Sequence, residues 1–222
     1  MQTNKEPRCI HRHTAKTHPN CFRTARTITI TPPKAEKPKV WYEGLKIGYL
    51  DIEASSLKAD FGMILSWAIK EKNGLTYYDC ITRDEIFDGT FDKRVVESLI
   101  NRMKSFDVLV TYFGTNFDIP FIRARALKHK LSFPAYGSIL HWDVYYKVKS
   151  QLAISRKSLA VSTAFLEIDG KTPVTGEHWM HAMYGDVDAL GYVVKHNIAD
   201  VEILEDLHKT LEPFSKWMKK SL

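Results

Sequence analysis

The chain has 222 residues, 44% hydrophobic and 26% charged, which is enough for one domain with a well-buried core. No apolar run reaches the roughly 18 residues of a membrane-spanning helix, and the opening MQTNKEPRCI lacks the apolar stretch of a secretory signal, so no membrane partner is expected. Three cysteines are too few for a disulfide framework, and the expected setting is reducing and cytoplasmic. The net charge of +6 is unevenly placed. Residues 1–40 hold nine Lys/Arg against two Asp/Glu, whereas residues 41–222 hold 23 against 24. A basic arm on a near-neutral body suits a polyanionic partner. The plain alternative is a solubilising tail, and charge alone does not separate the two.

In chain order, residues 1–40 have few large apolar side chains and close on TPPKAEKPK, a linker composition. This arm contains Cys9-Ile-His11-Arg-His13 and His18-Pro-Asn-Cys21. Thiol and imidazole together prefer zinc, and Cys9, His11 or His13, His18 and Cys21 form a candidate four-ligand set. The spacing matches no common finger, and a tail with incidental histidines is the alternative. We place zinc ahead because so short a segment needs a metal to fold alone.

The main domain is expected from about Trp41. Strand patterns follow at LKIGYLDIE (45–53), GMILSWAIKEK (62–72) and GLTYYDCI (74–81), with Asn73-Gly74 as a hairpin turn between the last two. Segment 92–106 has Val95, Val96, Leu99, Ile100 and Met103 at helical spacing. A short strand, DVLVTYF (107–113), precedes a helix over 118–130 with Pro120 in its first turn, where proline is tolerated. A short strand is placed near 139–144. After Ser158 the pattern is mostly helical, ending in a long segment from about Val187 to Leu211. This order predicts an α/β domain with a mixed sheet.

Three features carry chemistry. Asp51 and Glu53 end the first strand two residues apart, so both project from one face. Adjacent carboxylates repel unless a cation lies between them, and hard divalent ions favour such oxygen sets. D-x-E alone, however, recurs at many strand ends by chance. Asp118, in Asn116-Phe117-Asp118, stands at a strand–helix junction, where a plain helix cap is the rival reading. His196 and Asp200 are four apart on a predicted helix and so share a face. An exposed polar stripe is the alternative there, but Val193, Ile198, Val201 and Leu204 suggest close packing on the sheet.

Together, in this order, these features resemble the three exonuclease motifs of the DEDD superfamily, the ribonuclease H-like 3′-5′ exonucleases that include proofreading exonucleases of DNA polymerases. The resemblance spans about residues 45–210. Arg156-Lys157-Ser158-Leu159 and Phe165-Leu166-Glu167-Ile168-Asp169-Gly170-Lys171 are similar to the stretch between the second and third motifs. It implies a ribonuclease H-like mixed β-sheet flanked by α-helices, and phosphodiester hydrolysis with two Mg²⁺ or Mn²⁺ ions. Asp51 would bridge the ions, Glu53 and Asp200 would complete one site, and Asp118 would hold the second ion. His196 would contact or deprotonate the attacking water. One departure stands out: the family has tyrosine four residues before the last Asp or histidine five before it, and this chain has histidine at the tyrosine spacing. A related branch of ribonuclease H-like proteins does show histidine-asparagine there.

Among supporting residues, Asp143 could orient the site or cap a helix. Tyr112, Asn116 and Phe117 are candidate substrate contacts, with stacking on a terminal base weighed against a place in the core. Arg123 and Arg125 could touch phosphates or line a solvated helix face. The expected activity is 3′-5′ exonucleolytic cleavage of single-stranded or frayed DNA ends. The alternatives are an RNA exonuclease or structure-specific nuclease on the same site, or a non-catalytic nucleic-acid-binding module, against which the complete acid set argues. No polymerase pattern is present, so a separate polymerase or other replication or repair protein is the expected protein partner.

Overall fold

The computed structural model describes Arg8 and residues 11–19, 42–170, 172–173 and 175–214. The chain divides into two units, residues 1–38 and 39–222. In the first, Arg8 bridges to Thr14, the His13 and His18 rings stack 4.2 Å apart, and His11 lies 6.0 Å from His13 between ring centroids. Cys9 and Cys21, the other candidate zinc ligands, lie outside the described residues.

The second unit is built on a five-stranded sheet. Its elements are β1 (Ile47–Ala54), β2 (Ile64–Glu71), β3 (Thr76–Cys80), α1 (Arg83–Phe87), α2 (Lys93–Met103), β4 (Val108–Thr111), α3 (Asp118–Lys128), β5 (Leu140–Asp143), α4 (Val144–Gln151), α5 (Leu159–Phe165), α6 (Gly176–Met183) and α7 (Val187–Leu211). The strand order is β3-β2-β1-β4-β5. The β1–β2 and β2–β3 pairs are antiparallel, whereas β1–β4 and β4–β5 are parallel. Among the described residues, no helix is long and apolar enough to cross a membrane.

β1 lies at the centre and is apolar on both faces, as a doubly covered strand must be. Leu50 and Ile52 pack into a core with Val95, Leu99 and Ile122 of α2 and α3. Ile47 and Tyr49 face a second core with Val201, Leu204 and Leu207 of α7. Strand alternation then puts Asp51 and Glu53 on the α7 side. The turn after β2 uses Asn73 in the left-handed region (φ 55), and its N–H donates to Glu205 Oε1 of α7 at 2.8 Å.

Two short helices, α1 and α4, are absent from the sequence expectation. α1 is set by a capping box between Thr82 and Glu85. α4 (VYYKVKSQ) is rich in aromatic and β-branched residues, which disguise a helix, and Asp143 caps it by accepting the Tyr145 N–H. The strand expected over 107–113 ends at Thr111, because Phe113 turns into the left-handed region (φ 65).

Arg125 is neither solvated nor free for phosphate. It is 2% exposed and forks onto Asp92, with Nε to Oδ2 at 2.8 Å and Nη2 to Oδ1 at 2.5 Å. Its Nη1 donates to the Ala59 carbonyl, and Asp92 also accepts the Ile64 N–H at 2.8 Å and meets His129 Nε2 at 2.7 Å. Burial opposes the charge on Asp92, but these partners hold its carboxyl below the ordinary range. Removing one member strands a buried charge. Arg125→Ala should therefore cost about 3–5 kcal/mol in urea denaturation, and a loss below about 1 kcal/mol would refute this structural role.

Candidate active site

The site forms where β1 runs past its parallel neighbour. The β1–β4 ladder covers Ile47–Tyr49 only, so the backbone beyond is available to side chains. Asp118, in the first turn of α3, fills that gap: its Oδ1 accepts the Ile52 N–H at 3.1 Å. From the opposite face, α7 delivers Asn197, whose Nδ2 donates to Asp51 Oδ2 at 2.6 Å. The Asn197 carbonyl in turn accepts from Ser66 Oγ of β2 at 3.1 Å, fixing the amide. His196 Nε2 stands 3.6 Å from Glu53 Oε1 and 3.7 Å from Asp200 Oδ2. Its Nδ1 meets the Thr172 hydroxyl at 2.5 Å, and Trp179 packs edge-on against its ring.

The structure thus brings together Asp51, Glu53, Asp118, His196 and Asp200. Burial, then the charges of Asp118, Glu53 and Asp200, push Asp51 well above the usual carboxylate range, against the pull of Asn197. Burial also pushes Asp118 up to about 7, opposed by two backbone N–H groups and reinforced by the Asp143 charge.

Asp143 is a helix cap, one of the two readings given for it, and it also holds a loop. Oδ1 accepts the Phe113 and Tyr145 N–H groups at 2.8 and 3.1 Å, and Oδ2 accepts the Thr115 N–H at 2.9 Å. One carboxylate therefore caps α4 and shapes the loop leading to Asp118. Of the expected substrate contacts, Asn116 is exposed and donates to the Tyr146 hydroxyl at 2.9 Å. Phe117 is half-buried against Phe121. The Tyr112 hydroxyl is engaged by the Lys157 carbonyl at 2.6 Å and by Ser162. Asn197 entered the sequence reading only as the second member of the histidine-asparagine pair, and Ser66 and Thr172 did not enter it. Asn197 had a signal, being three residues before Asp200 on a helix; Thr172 and Ser66 had none.

Among the described residues, no group of three or more His, Cys, Asp or Glu side chains is gathered as a ready metal cage. Mg²⁺ does not require one, since it typically takes one or two carboxylates and completes its shell with water and substrate phosphate. The all-oxygen set of Asp51, Glu53, Asp118 and Asp200 fits a hard divalent cation, whose charge would relieve the repulsion that raises Asp51.

A mixed five-stranded sheet flanked by helices, with acids at the end of its central strand, is an RNase H-like nuclease fold. Residues 48–212 match the family model of the RNase H superfamily, and the chain belongs to that superfamily. All four acids and His196 lie inside the matched span. Among solved structures, the chain is similar to the family B DNA polymerase of the hyperthermophilic archaeon Pyrobaculum calidifontis, with a TM-score of 0.62 and 19% identity. That likeness covers 77% of this chain and 25% of the polymerase, and it shows the fold. Comparison with curated proteins found no match.

The raised Asp118 has a definite linkage sign. The folded state keeps a proton that the unfolded chain releases near pH 4, so its contribution to stability is lost as pH rises from about 4 to about 7. Without divalent cations, the stability of the wild type relative to Asp118→Asn should fall across that window in urea denaturation. A pH-independent difference would remove the assignment.

Proposed function

We propose that the domain is a 3′-5′ exonuclease that hydrolyses phosphodiester bonds at single-stranded DNA ends by a two-metal-ion mechanism. The supporting observation is the convergence at the end of β1: Asn197 on Asp51, Asp118 on the Ile52 N–H, and His196 facing both Glu53 and Asp200. Asp51 would be common to the two ions, Glu53 and Asp200 would complete the holding of one, and Asp118 would hold the other. Bound there, Mg²⁺ or Mn²⁺ would neutralise charge on the attacking and leaving oxygens of an in-line displacement.

The chain's own residues do the positioning. Asn197, backed by Ser66, keeps Asp51 from rotating away. His196, its Nδ1 paired with the Thr172 hydroxyl, presents Nε2 towards the acids, and as a neutral imidazole it would take a proton from the attacking water there. Directionality rests on the resemblance of the three motifs. DNA is placed ahead of RNA, because no reader of a 2′-hydroxyl is identified in the sequence. The basic arm suits a polyanion or a separate replication or repair protein, and we extend the proposal to one zinc ion held there by Cys9, His11, His18 and Cys21.

A time course on 5′-labelled single-stranded DNA and the matching RNA, with Mg²⁺, Mn²⁺ or EDTA, tests the activity. The expected result is a metal-dependent ladder shortening from the 3′ end of DNA, absent in Asp51→Ala. Cleavage by Asp51→Ala at the wild-type rate would reject the site, and a ladder on RNA alone would reject the substrate. His196→Ala should slow hydrolysis by about 10²–10⁴-fold, as loss of a general base does; an unchanged rate would take that role away. Elemental analysis of the full chain should find about one zinc per molecule, and none would dismiss the arm site.

A further inference from the structure

His196 poses a problem of orientation that the acids do not solve. A tyrosine carries its one polar side-chain atom at the ring tip, on the axis about which the ring turns. An imidazole carries its two nitrogens off that axis, and a half-turn about the Cβ–Cγ bond exchanges each nitrogen with a carbon. A histidine at this spacing therefore presents either Nε2 or a carbon to Glu53 and Asp200, depending on which side of the ring is anchored. The two carboxylates stand 3.6 and 3.7 Å from Nε2, too far for hydrogen bonds that would choose the side. Trp179 meets the ring edge-on, with centroids 5.3 Å apart at 86°. That contact confines the ring without telling its nitrogens from its carbons.

The directional contact is at Nδ1, where the Thr172 hydroxyl lies 2.5 Å away. A hydroxyl both donates and accepts, so it suits Nδ1 in either tautomer, and it has no comparable bond to make with the ring carbon that a half-turn would bring there. Thr172 reaches this place because the chain around it is tied to α7. Pro173 biases the residue before it toward extended backbone. The Pro173 carbonyl accepts the hydroxyl of Tyr192, which stands one helical turn before His196 on the same face of α7. His178 of α6 stacks on the Tyr192 ring at 3.9 Å and 19°, and the Thr175 hydroxyl pairs with His178 Nδ1. The residues before α6 and α6 itself thus grip two successive turns of α7, and the Thr172 hydroxyl is held against the second.

Resting on the nuclease reading, we infer that Thr172 is a positioning residue whose hydroxyl selects the side of the His196 ring, so that Nε2 and not a carbon faces Glu53 and Asp200. The bond makes histidine workable at a spacing where the exonuclease motif that this chain resembles has tyrosine.

The test uses the full chain, with hydrolysis of 5′-labelled single-stranded DNA in Mg²⁺ and urea midpoints in EDTA as the two readouts. Thr172→Val keeps the shape and removes the hydroxyl, whereas Thr172→Ser keeps the hydroxyl. Thr172→Val should lower kcat about 10–100-fold with KM little changed, and Thr172→Ser should recover most of that loss. In a His196→Ala chain the same valine should cost less than about twofold, because the hydroxyl then has no ring to hold. The urea midpoint should likewise fall with Thr172→Val in the wild type and stay in place in the His196→Ala chain. A valine variant as fast as the wild type, or equal losses of rate in both backgrounds, overturns the positioning role and leaves the nuclease reading intact. A wild type that does not cut rejects the nuclease reading. The urea midpoints then decide alone whether Thr172 holds His196, and equal shifts in both backgrounds overturn it.

Discussion

Like charges gathered where a strand ends repel one another, and this constraint governs the second unit. Asp51 feels Asp118, Glu53 and Asp200 at once in a poorly solvated place. Nothing in the local chain favours that arrangement. It persists because each acid is held by a different element: Asp51 by Asn197 of α7, and Asp118 by the Ile52 N–H and the first turn of α3. Glu53 and Asp200 share His196, a group that can carry positive charge. Because the holders come from β1, α3 and α7, the site exists only when the sheet and both its helical layers are assembled.

The supporting scaffold uses buried polar groups where strain would otherwise loosen it. Asp92 joins the start of α2 to α3, to the start of β2 and, through Arg125, to the loop after β1. Such a network specifies one arrangement, since each partner left unmatched would be costly in a low-dielectric interior. Asp143 plays the matching part on the other side, tying the Phe113–Thr115 loop to α4.

Much of this was legible in the sequence. The period-two pattern over 45–53 and the helical spacing over 92–106 gave β1 and α2, because burial on defined faces imposes those periods. Asp51 with Glu53, and His196 with Asp200, followed from within-element geometry. Local signals fall short where composition and conformation conflict: α4 is rich in aromatic and β-branched residues, and Tyr112–Phe113 continue an apolar run that the backbone abandons. Arg125 reads as a surface cation, because a sequence does not say that Asp92, 33 positions earlier, will be buried against it.

The sequence by itself determined the three leading strands, the longer helices, the faces on which the acids stand and the superfamily to which the chain belongs, since these depend on periodicity and on residue types at short spacing. Only the tertiary structure decided which side chains hold the acids. Ser66 and Asn197 are 131 residues apart, Thr172 and His196 are 24 apart, and Phe113 and Asp143 are 30 apart. Such pairs leave no local trace, because a hydrogen bond between distant residues is fixed by how layers pack and not by the pattern of either segment.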